Sequence, residues 1–167
     1  MGVSESETVR WYPCGDFAAA PALRAWRGVC VGAPADAVWP WVAQVRLAPY
    51  SCDWIDKRGR RSPRDLAGLP EPEAGDRFTT AGGRARGRIV SVDPGKHLTG
   101  TILGAVMSCV LVPQGHGVTR LLLKVVMETT RWAALGLSVG DLIMARRQLL
   151  TLKQLAERHQ HQVTASG

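Results

Sequence analysis

Between Asp76 and Glu128 closely spaced turn signals cut the chain into short β-rich segments, and the stretch that follows, from about Val139 to His159, has no proline and, after Gly140, no glycine. This pairing constrains the fold more than any other feature. Strands are expected near residues 76–80, 85–93, 97–103, 105–112 and 117–128. They are separated by Gly82-Gly83, Asp93-Pro94-Gly95, Gly104 and the run Pro113 to Gly117. Connections this short make neighbours pair as an antiparallel meander. In the last strand Thr119, Leu121, Leu123, Val125 and Met127 alternate with Arg120, Leu122, Lys124, Val126 and Glu128, so the first set reads as the inner face. In the closing helix Leu142, Ile143, Leu149, Leu152, Leu155 and Ala156 form an apolar stripe, with Arg146, Arg147, Lys153 and Arg158 on other faces.

Upstream, residues 25–31 read as one more strand, stopped at Gly32-Ala33-Pro34. Pro34 suits a first helical position and Asp36 the positive end of a helix dipole. Val38, Trp41, Val42 and Val45 then fall at helical spacing, while Pro40 is expected to bend this helix or confine it to a first turn and a continuation. A second short helix is expected near 50–56, followed by a charged surface loop over 57–72. The order is strand, helices, five strands, long helix. It predicts an α+β helix-grip fold, a curved antiparallel sheet wrapped around a long C-terminal helix, with an internal cavity. Residues 1–23 are expected to form an extended arm, 24–160 a single domain, and 161–167 a disordered tail.

The chain's 167 residues suffice for a core without staples, and 46% apolar with 21% charged residues is ordinary globular composition. The formal net charge of +7 permits an anionic partner without requiring one. Its arginines cluster at Arg58, Arg60, Arg61 and Arg64 and at Arg84, Arg86 and Arg88, with only Trp54 and Phe78 nearby as stacking platforms, so no nucleic-acid partner is expected. The N-terminus lacks the pattern of a signal peptide, and no stretch is long and apolar enough to span a membrane; a cytoplasmic location with reduced cysteines is expected. Cys14, Cys30, Cys52 and Cys109 show no metal-ligand spacing, and no metal or cofactor is expected.

Several segments resemble a known family. The stretch VCVGAPADAVWPWVAQV, then PYSCDWID, RGRRSP and AGDRF, is similar to the actinobacterial, polyketide cyclase/dehydrase-like branch of the SRPBCC (START/Bet v 1-like) superfamily. The matching residues are Ala33, Pro34, Val38, Trp39, Pro40 and Trp41, then Tyr50, Ser51, Asp53 and Trp54, then Gly75 and Asp76. The resemblance spans roughly residues 10–160. It departs from the pattern at Cys52, where the family carries a second aromatic, and at Leu47-Ala48-Pro49, where the bulk is trimmed. It implies a cavity with its mouth near Tyr50–Trp54. Superfamily members include lipid and hormone binders, aromatic polyketide cyclases and co-chaperone-like proteins.

Chemistry inside such a cavity points to few groups. Tyr50 and Asp53, three residues apart, are candidates to exchange protons in an enolisation or dehydration; equally, Asp53 is a candidate helix cap. His97 alternates with Thr99 and Thr101, and becomes an acid–base candidate if that side faces the cavity. Trp41, Trp54 and Trp132 either pack the core or form a flat apolar wall for a ligand ring. Met107, Cys109, Met127 and Met144 line a deformable pocket or an ordinary core. Arg86 and Arg88, alternating with Val90 and Val92, would hold a carboxylate or enolate if they point inward at the mouth. The expected function is binding of a hydrophobic, polyketide-like or aromatic small molecule, with cofactor-independent cyclisation or dehydration favoured and a non-catalytic carrier or sensor as the alternative. A nucleic-acid or protein interaction module stands third. A monomer or homodimer is expected.

Overall fold

The computed structural model describes residues 2–18, 20–47, 64–81, 84–102, 104–128 and 133–165, and for 81, 85 and 133–144 the backbone only. Six strands form one antiparallel sheet: Leu23–Val31 (β1), Arg77–Ala81 (β2), Arg84–Asp93 (β3), His97–Ile102 (β4), Ala105–Gly115 (β5) and Val118–Met127 (β6). Their spatial order is β1-β6-β5-β4-β3-β2. Consecutive strands from β2 to β6 pair through short turns, as the turn residues demand. At one such turn Lys96 N–H donates to Asp93 C=O at 3.0 Å and Gly95 adopts φ 75°. Only β1 pairs out of sequence, and it closes the far edge against β6.

The alternation predicted for β6 is the one observed. Leu121, Leu123, Val125 and Met127 join the main core with Val29, Val31, Leu98 and Cys109, whereas Leu122 and Val126 face the opposite side. Thr119 is buried because its hydroxyl donates to Ala33 C=O at 2.8 Å, which ties β6 to the exit of β1.

Ala35–Ala43 forms a helix (α2, after the short α1 at Glu5–Thr8) that runs through Pro40. Proline there forfeits one backbone hydrogen bond, at a typical cost of about 3 kcal/mol. Burial of Val38, Trp39, Trp41 and Val42 offsets that cost, so the helix is not confined to its first turn. A 3-10 turn over Gln44–Arg46 follows. The buried Gln44 side chain donates to Asp65 C=O at 3.0 Å and accepts from Ala67 N–H at 2.8 Å, fixing the chain after residue 64 against α2. The expected second helix near 50–56 lies outside the described residues.

The long helix Ala133–Ala165 (α3) packs against α2 and β1. Its described stripe, Leu149, Leu152, Leu155 and Ala156, is buried as predicted. The helix is longer than predicted at both ends and includes the stretch 161–165, where a disordered tail was expected. Each added residue closes one more backbone bond without a new nucleus, so a polar end can remain helical.

The N-terminal arm also differs from expectation. It carries α1, closed by a capping box between Ser4 and Glu7, and a 3-10 turn at Pro13–Phe17. Tyr12, Cys14 and Ala18 bury themselves against Leu122 and Val126 on the outer side of the sheet. The sheet is therefore covered on both faces.

Candidate functional site

The strand registers align one row straight across the inner face: Val92 opposite Leu98, Leu98 opposite Cys109, Cys109 opposite Leu123, and Leu123 opposite Arg27. A second row runs Gly100, Met107, Val125, Ala25, and a third Ile102, Ala105, Met127, Leu23. Cross-strand partners share a face, so these residues form a continuous wall towards the helix side. Leu98, Cys109, Leu123, Val125 and Met127 are buried in the main core, and Ile102 and Met107 are half-buried at its margin. The wall is apolar except at Arg27. Burial pushes the Cys109 thiol up to about 12, so it stays neutral.

Met107, Cys109 and Met127 thus stand together on the inner face. Trp41 reaches the same core from α2, is 1% exposed, and lies edge-on to His159 of α3 at a ring separation of 6.3 Å. Its Nε1–H has no hydrogen-bond partner among the described residues. Tyr50, Asp53, Trp54 and Trp132 lie outside the described residues, and of Met144 only the helical backbone is described.

Two of the candidates stand away from the inner wall. His97 sits on the outer side of β4 with Thr99. Its Nε2 is 3.0 Å from Ser91 Oγ, and Trp11 of the arm meets its ring edge-on at 6.0 Å. Thr99 Oγ1 bonds Ser108 Oγ at 2.7 Å, and Ser108 Oγ accepts from Cys14 N–H of the arm at 2.9 Å, which fixes this side as the arm's side. Burial lowers the His97 pKa, the effect of a half-enclosed imidazole and not of a catalytic dyad.

Arg88 is likewise turned away from the wall. A register shift between Ile89 and Ser91 breaks the alternation of β3, so Ile89 and Val92 face the core while Arg88 is exposed. Its Nη1 donates to Gly75 C=O at 3.1 Å. With Gly75, Asp76, Arg77 and Gly87 it lines an open cleft of about 620 Å³ at the β2–β3 edge.

Arg27 was missed. In the sequence it reads as one charge within AWRGVCV, and the pairing with Leu123 places it on the inner face. Its alternation with Ala25 and Val29 was the signal that could have found it.

A curved antiparallel sheet with a long C-terminal helix is the helix-grip α+β fold. Solved structures agree. A Thermobifida fusca protein matches with TM-score 0.57 at 19% identity, over 81% of this chain and 93% of that one. A Rhodobacter sphaeroides protein matches with TM-score 0.55 at 21% identity, over 81% and 93%. An AHSA1-like protein of Rhizobium etli matches with TM-score 0.51 at 17% identity, over 81% and 82%. No family model and no curated protein matches the sequence. Among the described residues no helix is long and apolar enough to cross a membrane.

Proposed function

We propose that this protein binds a hydrophobic or aromatic small molecule against the inner face of its sheet, on the side towards α3. The observation that carries the reading is the apolar wall of Leu98, Cys109, Leu123, Val125 and Met127, continued by half-buried Ile102 and Met107. Soft, unbranched methionines at such a margin adapt to differing ligand shapes.

Two versions of this function differ in chemistry. In the enzymatic version the wall folds a polyketide-like substrate into a reactive conformer and Tyr50 and Asp53 move protons, giving cofactor-independent cyclisation or dehydration. In the other, the protein carries or senses its ligand unchanged. Among the described inner-wall residues the candidate acid–base group is Cys109. A thiol held at about 12 neither gives nor takes a proton near neutral pH. The described wall therefore favours the carrier or sensor, and the enzymatic version rests on Tyr50 and Asp53. Native mass spectrometry of the freshly purified protein is expected to show a bound small molecule. The variants Tyr50→Phe and Asp53→Asn then separate the versions: a carrier keeps its affinity, whereas an enzyme loses turnover.

A further inference from the structure

The inner wall carries a single charged residue among its described sheet positions, and among the described residues it has no counter-ion. Arg27 lies at the β1 edge, directly opposite Leu123 and in line with Cys109, Leu98 and Val92. It is half-buried. Its Nη1 donates to Trp26 C=O at 2.8 Å, the one hydrogen bond of its guanidinium among the described residues. A guanidinium has five N–H donors, so most of its capacity is unspent. Elsewhere in the protein, arginines with similar exposure are matched: Arg120 holds Glu7 and Arg46 holds Asp76.

We propose that Arg27 is the polar anchor of the ligand site and that the ligand is an amphipathic carboxylate. Its apolar body lies along the half-buried margin of the wall beside Arg27, at Ala25, Met107 and Ile102, and its carboxylate meets the guanidinium at the β1 edge. A lone cation beside an apolar wall is costly to shield from water unless an anion accompanies it. A planar carboxylate matches the guanidinium fork and accepts two parallel N–H bonds. The proposal rests on the binding function above and adds the ligand's chemical class.

The test compares two probes with the same ring, 1-naphthoate and 1-naphthalenemethanol, by titration calorimetry at pH 7.5 and low salt. The acid is expected to bind about tenfold more tightly than the alcohol, as a charge-assisted hydrogen bond implies. Arg27→Gln is expected to abolish that preference, weakening the acid by about tenfold and the alcohol by less. Arg27→Lys, which keeps the charge but not the fork, is expected to retain part of it, and serves if the glutamine variant folds poorly. Equal binding of the two probes to the wild type, or a preference that survives in Arg27→Gln, overturns the carboxylate anchor alone. Failure of the alcohol to bind at all overturns the underlying site.

Discussion

Arg120 clasps Glu7 with two nitrogens, Nε to Oε1 at 2.7 Å and Nη2 to Oε2 at 3.1 Å, and so fastens the N-terminal arm to the outer face of β6. A third contact runs from Nη2 to Gly2 C=O at 2.6 Å. The guanidinium crosses over Gly28 on β1, where a Cβ would come within 2.7 Å of Nη2. The hydrogen bond from Arg120 holds the Glu7 pKa at about 2, below its ordinary 4.5. A carboxylate depressed on folding stabilises the native state above its unfolded pKa, and this is lost as pH falls from about 4.5 towards about 2. Glu7→Gln is expected to cost about 1 kcal/mol at pH 7, solvent screening included, and only a small part of that at pH 2. Urea denaturation at the two pH values measures it.

Phe78 occupies the space that a side chain at Gly100 would need. A Cβ on Gly100 would lie 2.0 Å from Phe78 Cδ2, and Phe78 is fully buried. Gly100→Ala is expected to destabilise by about 1–3 kcal/mol through overpacking. If Phe78→Leu relieves it in the double variant, the two costs add to less than their sum, which a double-mutant cycle in urea reads directly.

Thiol labelling should follow burial. Cys30 is exposed, whereas Cys14 and Cys109 are buried and desolvation raises both their pKa values. Peptide mapping after brief alkylation at pH 8 is expected to find Cys30 modified and Cys14 and Cys109 intact until denaturant is added.

The outward-facing groups should be silent in binding. His97→Asn and Arg88→Gln are expected to leave affinity for an apolar ligand within about twofold of wild type, since neither side chain joins the inner wall. His97 itself is expected to titrate below 6.5 by proton NMR, because burial disfavours its charged form. The native state then binds that proton less readily than the unfolded chain, so its contribution to stability falls as pH drops through this range.

The strands were legible because alternation and turn chemistry agree along β3 to β6, and the Leu149–Ala156 stripe marked α3 equally well. Local pattern failed where the cause was non-local. The bulge after Ile89 moved Arg88 to the other side, and Gly87, a glycine inside the strand, was the one local hint of irregularity. The face of β4 that His97 occupies depends on which side the arm covers. The arm itself docks through Tyr12, Cys14 and Ala18, too few and too irregularly spaced to show a period. Arg27 shares the face of Ala25 and Val29 by alternation, and its pairing with Leu123 on β6 sets that face inward.

The central claim is that an apolar ligand lies on the inner wall, and methyl NMR tests it most directly. With methionine, leucine and valine methyls labelled, addition of 1-naphthalenemethanol is expected to shift Met107, Met127, Leu98 and Leu123 and to leave Val110, Val112 and Val126 on the arm's side unmoved. Shifts confined to the arm's side, or no shifts at a ligand concentration near its solubility limit, would contradict the account.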